Sequence, residues 1–234
     1  MNVRQLLRSL SRFERTLWIC SLIVVTVSFL LTPTPSYLSL AASLIGVTAL
    51  IFIAKGYVVG QVLIVIFAVF YGVISFLFRY YGEMITYLCM SAPMAIASIV
   101  AWSRHPYADT AEVSVSRATK KQLCLALLLT AAVTVAFYFI LRALHTANLT
   151  FSTISVATSF LASSLTLLRD PHYAAAYAAN DIVLIVLWIL AAVTDIGYLP
   201  MIFCFLMFLF NDSYAFFNWK RIKKRQTEDA LPTQ

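Results

Sequence analysis

Residues 169–188, RDPHYAAAYAANDIVLIVLW, gather most of the side chains able to hold a small molecule. A charged, proline-broken turn, Arg169-Asp170-Pro171, opens a long apolar helix that carries Asn180 and Asp181. Tyr173, Tyr177, Asn180, Leu184 and Trp188 recur at helical spacing and share one face. At ~1.5 Å per residue, Asn180 and Trp188 lie about 12 Å apart along the axis. An asparagine amide bonds polar ligand groups, and tryptophan and tyrosine faces attract a cationic ring. Such a stripe on an otherwise greasy helix faces protein or a water-filled cavity rather than lipid. It predicts the wall of a small-molecule site.

Other stretches add candidates. Within 149–168, Ser152, Ser155, Ser159, Ser163 and Thr166 form a hydroxyl stripe. Such groups let helices approach closely, and they also offer donors and acceptors to a sugar. Packing accounts for most of the stripe, and Ser155 and Ser159, deepest in the span, are the binding candidates. In the last helix Asn211, Tyr214 and Asn218 share a face, and Asp212 follows Asn211. A charge inside a span costs about 2.5–3.5 kcal/mol on insertion scales, so Asp181 and Asp212 need a partner or water. Arg169 or the terminal basic cluster is the expected partner of Asp212. The recurrence of Asn-Asp in two successive helices sets Asn211 beside Asn180 as a candidate. Trp188, sharing a face with Asn180, is expected to stack on a ring, whereas Trp102 and Trp219 are expected in the interfacial belt. In the first half, Gln61, Ala68, Tyr71 and Ser75 line one face, and Pro93 predicts a kink in 82–102.

No Walker loop, Ser/His/Asp arrangement or HExxH occurs, so neither an enzyme nor ATP-driven pumping by this chain is expected. Cys20, Cys89, Cys124 and Cys204 are scattered singly in apolar segments and read as packing residues. His105, His145 and His172 are too dispersed to suggest a metal cluster. No cofactor and no metal are expected.

The elements that must position these groups follow from composition. The chain is 62% hydrophobic and 12% charged, with a mean hydropathy of +0.87, against an apolar content of ~45–50% in soluble domains. This is an all-α polytopic membrane protein. The surplus of +7 follows topology and forms no nucleic-acid surface. Residues 1–16 set Val3, Leu6, Leu7, Leu10 and Phe13 against Arg4, Arg8, Arg12 and Arg15, predicting one amphipathic helix on an anionic leaflet. A first span, 17–31, is retained, because Thr32-Pro33-Thr34-Pro35 shows no cleavage pattern. Seven more spans are predicted near 37–54, 58–78, 82–102, 121–144, 149–168, 174–194 and 198–217, most reaching the ~20 residues that cross a bilayer. With both termini cytoplasmic, every Lys and Arg except Arg79 and Arg142 lands inside, and the opposite orientation reverses that balance.

An internal repeat sets 37–104 beside 151–221: Tyr71 aligns with Trp188 and Trp102-Ser103-Arg104 with Trp219-Lys220-Arg221, while Lys55-Gly56 corresponds to Arg169-Asp170. Two three-helix units share one orientation only if a span joins them, and 121–144 is that span. The predicted plan is one extra N-terminal helix plus a 3+1+3 parallel repeat, with a site between the halves near midplane. Its sections are 1–36 (amphipathic segment and first span), 37–104 (first three-helix repeat), 105–148 (cytoplasmic loop and linker helix), 149–221 (second repeat) and 222–234 (basic cytoplasmic tail).

The segments AKG (54–56), YYGEMITY (80–87), ISVATSFLAS (154–163), LLRDPHYAAAYAANDIVLIVLW (167–188) and FLFNDSYAFFNW (208–219) resemble the PnuC family of nicotinamide riboside transporters, in the form seen in many Gram-positive bacteria. The resemblance implies a full-length SWEET-like fold, a homotrimer, and facilitated diffusion of nicotinamide riboside by alternating access, with trapping by a cytoplasmic kinase. The family's better-known branch carries WxxWxxxN after the charged turn. Here Asn180 keeps the asparagine, Tyr173 stands at the first tryptophan, and Ala176 fills the second with Tyr177 beside it. The ring is expected to stack on Trp188 or Tyr177, Asn180 and Asn211 to bond polar groups, and Ser155 and Ser159 to border the ribose, with Tyr71 the counterpart of Trp188. Related branches carry thiamine or riboflavin, and a non-transporting membrane scaffold or sensor is the reading in which the polar stripes are glue alone.

Overall fold

A computed structural model describes residues 3–32, 36–77, 81–108 and 110–230. Arg79, the connection at 33–35 and the last four residues of the tail lie outside these. The described residues form helices and no strand: α1 (Val3–Arg8), α2 (Arg12–Leu30), α3 (Tyr37–Ala54), α4 (Val58–Leu77), α5 (Tyr81–Ile85), a π-helical segment (Thr86–Ser91), α6 (Ala92–Ser103), α7 (Lys120–Ala143), α8 (Leu149–Leu167), α9 (Tyr173–Thr194) and α10 (Leu199–Asp229). Eight helical stretches among the described residues are long and apolar enough to span a bilayer.

The amphipathic start is shorter than its pattern suggests. α1 stops at Arg8, and Ser11 caps α2 by accepting from Glu14 N, while the Glu14 carboxylate accepts from Ser11 N. This reciprocal cap, Ser followed three residues later by Glu, satisfies two backbone donors and starts a new helix. Phe13 and Arg15 therefore belong to the first spanning helix. Glu14 is buried, bonded by Lys55 Nζ at 3.2–3.3 Å and by Tyr214 Oη at 2.8 Å. The trio ties α2 to the end of α3 and to α10. Removing one partner of a buried pair strands the other charge, at a cost of about 3–5 kcal/mol. Lys55→Ala is expected to lower the melting temperature of detergent-solubilised protein, and Glu14→Gln with Lys55→Met to recover most of the loss.

A π-helical segment stands just before Pro93. Proline has no N–H and crowds the carbonyl four residues back, and the widened turn, in which Ala92 N bonds Tyr87 O, accommodates it.

The packing is reciprocal. α3 packs on α4 and α10, α8 on α9 and α6, while α2 lies outside against α3 and α10, and α7 outside against α8. The turns after α3 and α8 match as well. Gly56 at φ 71° and Arg169 at φ 59° adopt the left-handed conformation. Each turn returns backbone N–H groups to the preceding helix, Gly56 N to Ile53 O and Arg169 N to Thr166 O. Glycine takes that conformation without a Cβ penalty. At Arg169 the chain is held there because Nη1 donates to Ser114 O at 3.1 Å and the carbonyl accepts from Ser116 N.

Candidate functional site

A cavity lies between the helices of 37–104 and those of 149–221. α4 contributes Gln61, Phe67 and Tyr71, and the α5–π segment contributes Glu83, Thr86 and Tyr87. From the other group come Ser155, Ser159 and Ser163 on α8, the stripe of α9, and Phe205, Phe208 and Asp212 on α10. Tyr71, Ser155, Ser159, Tyr173, Tyr177, Asn180 and Trp188, all candidates from the spacing, line it.

Asn211 does not. It is fully buried, and its amide donates to Ser21 Oγ on α2 at 3.1 Å and to Met207 O at 2.7 Å. Successive helical residues point about 100° apart, so Asp212 faces the cavity and Asn211 faces α2. Asp212 also departs from its expected partners. Among the described residues neither Arg169 nor the terminal basic cluster pairs with it, and its neighbour is Asp181.

Asn180 is oriented from behind. Its Oδ1 accepts from Thr158 Oγ1 at 2.8 Å and Ser155 Oγ at 3.3 Å, both on α8. With the carbonyl occupied, the amide nitrogen is the end left for the cavity. Tyr177 Oη pairs with Ser163 Oγ at 2.8 Å. Trp188 stacks on Phe205, with centroids 6.5 Å apart and planes at 14°, and lies 5.6 Å from Tyr198. Its Nε1 has no partner among the described residues. Tyr71 packs 4.6 Å from Tyr87 and 5.4 Å from Phe67. Aromatic faces therefore flank the cavity from both groups of helices.

Glu83, Thr86 and Tyr87 were not singled out by spacing. A lone carboxylate within an apolar run is itself a pointer to a site inside a membrane, and Glu83 was that signal. Tyr71, Glu83 and Trp188 also line a second recess, bounded by Ser39, Asp195 and Tyr198, toward the face away from the termini. These three side chains are the divider between the two spaces.

At the opposite end the cavity closes over Ile53, Thr166 and Tyr173. Beneath them Trp102 and Trp219 are fully buried, 5.3 Å apart. They lie not in an interfacial belt but in a reciprocal contact. Trp102 Nε1 on α6 donates to Thr166 O on α8, and Trp219 Nε1 on α10 donates to Ile53 O on α3, both at 2.9 Å. An indole N–H in so dry a place needs an acceptor, and the late carbonyls of α3 and α8 supply it.

The turn leading into α9 is fastened by Asp170. Its carboxylate accepts from Ala118 N at 2.7 Å, His172 N at 2.9 Å and the His172 ring at 2.7 Å. Burial acts to raise its pKa, but the hydrogen bonds from His172 and Ala118 together hold it below the usual carboxylate range. A depressed folded-state value gives stability that is present above the unfolded value near ~3.9 and lost as pH falls through the folded one. Asp170→Asn is expected to cost about 1–3 kcal/mol. Acidification below about pH 4 should release the 105–119 loop in wild type and not further in the variant, as read by hydrogen exchange.

Residues 36–221 match the model of the nicotinamide mononucleotide transporter family. The chain belongs to this family. A nicotinamide riboside transporter PnuC from Neisseria mucosa is 27% identical over 229 residues, which cover 96% of this chain and 87% of that relative. The crystal structure of the vitamin B3 transporter PnuC superposes with a TM-score of 0.79 at 27% identity, covering 93% of this chain and 94% of that one. In repeat-built transporters solute sites typically lie between the halves near the bilayer midplane. Nicotinamide mononucleotide and nicotinamide riboside differ by one phosphate, and the lining bears on that difference.

Proposed function

We propose that the protein carries nicotinamide riboside across the cytoplasmic membrane by facilitated diffusion. The observation that carries this reading is electrostatic. The cavity is lined by Glu83, Asp181 and Asp212 and, among the described residues, by no Lys, Arg or His. Nicotinamide riboside brings a positive ring, whereas a mononucleotide adds a phosphate of about −1.5 to −2 to a space that already holds acids. In this reading the pyridinium meets Trp188 or Tyr177, with Tyr71 and Tyr173 completing the aromatic lining. Asn180 bonds a polar group through its amide nitrogen, and Ser155 and Ser159 border the ribose. The same chemistry favours trapping: once a cytoplasmic kinase has added a phosphate, the acidic cavity rejects the product.

The halves 37–104 and 149–221 act as the two moving units of a parallel repeat, a reading supported by the reciprocal Trp102 and Trp219 bonds. Both termini face the cytoplasm, in keeping with the weight of Lys and Arg at that end. A homotrimer is what the family resemblance implies, and α7, with Leu125, Leu128 and Phe139 exposed, offers apolar surface to lipid or to a neighbouring protomer.

Tryptophan fluorescence of purified protein tests the reading. Nicotinamide riboside should quench emission saturably, the mononucleotide should not, and Trp188→Phe should lose most of the signal. Absence of quenching by the riboside, or equal quenching by the mononucleotide, would overturn it.

A further inference from the structure

Asp181 on α9 and Asp212 on α10 both line the cavity, 3% and 2% exposed. Their carboxyls lie within hydrogen-bonding reach of each other. Two ionised carboxylates have only acceptors, so a bond between them requires one proton. Two full negative charges that close in a water-poor site do not stand together. Among the described residues no Lys, Arg or His forms an ion pair with either. The other titratable groups acting on the pair are Tyr87, Tyr173, Tyr177 and Cys204, none of them a cation. Asp181 Oδ2 meets no N–H or O–H of the protein among the described residues.

A separate observation points to a ligand here. Tyr173 Oη and Trp188 Nε1, 1% and 6% exposed as residues, line the same cavity without hydrogen-bond partners. Buried polar groups are ordinarily satisfied, and both of these are open to a partner from the cavity. Resting on the reading of the cargo as a cationic nucleoside, we propose that the Asp181–Asp212 pair, holding one proton and therefore one negative charge, is the counter-charge that selects a positively charged ring over an uncharged ring of the same shape.

The pair acts as a unit, which makes the expected pattern unusual. Asp181→Asn or Asp212→Asn alone leaves one carboxylate bonded to an amide and keeps the charge, so selection should persist. Only the double variant removes it. Glu83 is part of the divider, and Glu83→Gln serves as the background in which, among the described residues, the pair is the acidic group left in the cavity lining.

The test compares binding of nicotinamide riboside with binding of benzamide riboside, which has a neutral benzene ring in place of the pyridinium. Wild type is expected to prefer the cation by about tenfold or more. Asp181→Asn/Asp212→Asn should bind the two within about threefold while holding the neutral riboside as wild type does, which also shows that it is folded. A double variant that keeps the preference overturns the proposal. Should the double variant bind neither, titration of the Glu83→Gln protein from about pH 8 to about pH 4.5 decides. Loss of the preference as the pair takes its second proton supports the proposal, and an unchanged preference overturns it. If wild type binds neither riboside, the cargo reading fails instead.

Discussion

Trp188→Ala is expected to remove saturable uptake almost completely. Trp188 is one of three side chains shared by the central cavity and the recess beyond it, so its loss acts twice. Stacking of a desolvated cation on an indole is worth about 2 kcal/mol, roughly 30-fold in affinity. Its removal also joins the two spaces and leaves Phe205 and Tyr198 without the ring they pack against. Binding should therefore fall about 30-fold, and uptake by more, because a merged space no longer closes around its solute. Trp188→Phe keeps a ring and should retain much of both. Asn180→Ala should also reduce uptake, since it removes the amide and leaves the Ser155 hydroxyl without its acceptor. Folded, membrane-inserted Trp188→Ala and Asn180→Ala proteins that transport at the wild-type rate would show that this cavity is not the site.

Trp219→Ala should open the other end. Trp219 is fully buried, packs 4.7 Å from Tyr173 and 5.3 Å from Trp102, and donates to Ile53 O. A buried tryptophan cut to alanine typically costs about 3–5 kcal/mol, which melting in detergent reads directly. The second consequence is specific to its position under the cavity. Ser98 lines the cavity and is buried. A cysteine placed there in a protein lacking its four native cysteines should resist impermeant thiol reagents. With Trp219→Ala it should react from the face carrying the termini and not from the opposite face. Trp219→Phe keeps the ring but loses the N–H bond to Ile53 O, and should give a smaller change in the same direction. Equal protection of the thiol in all three backgrounds would mean that the tryptophans pack the bundle without sealing it.

The spanning helices were legible because apolar runs of bilayer length leave few alternatives. Tyr37–Ala54 and Leu149–Leu167 fall where hydropathy puts them, within a residue. The α9 stripe was legible for a related reason: at 3.6 residues per turn, Tyr173, Tyr177, Asn180 and Trp188 can only share a face. What escaped lies where periodicity stops being informative. Glu83, Thr86 and Tyr87 do share a face at i, i+3 and i+4, but a single short stripe in an apolar run reads as packing, and the π segment at Thr86–Ser91 leaves no mark in the spacing. Asn211 copies the Asn-Asp step of α9, yet α2 covers the flank of α10 toward which it points. An N-terminal helix outside the repeated halves leaves no trace in the repeat itself. Trp102 sits at the end of α6 and Trp219 just past the predicted span 198–217, where a belt position is usual. Only the crossing of α6 with α8 and of α10 with α3 puts the two rings in contact.

Uptake of labelled nicotinamide riboside into proteoliposomes, with no imposed proton or sodium gradient, tests the central claim most directly. Unlabelled riboside, the mononucleotide, thiamine and riboflavin serve as competitors. An acid-lined cavity that holds a cationic nucleoside predicts saturable equilibration, competed by the riboside and by none of the other three. Absent uptake, or uptake competed best by the mononucleotide or by another vitamin, would contradict the assignment of this cavity to nicotinamide riboside.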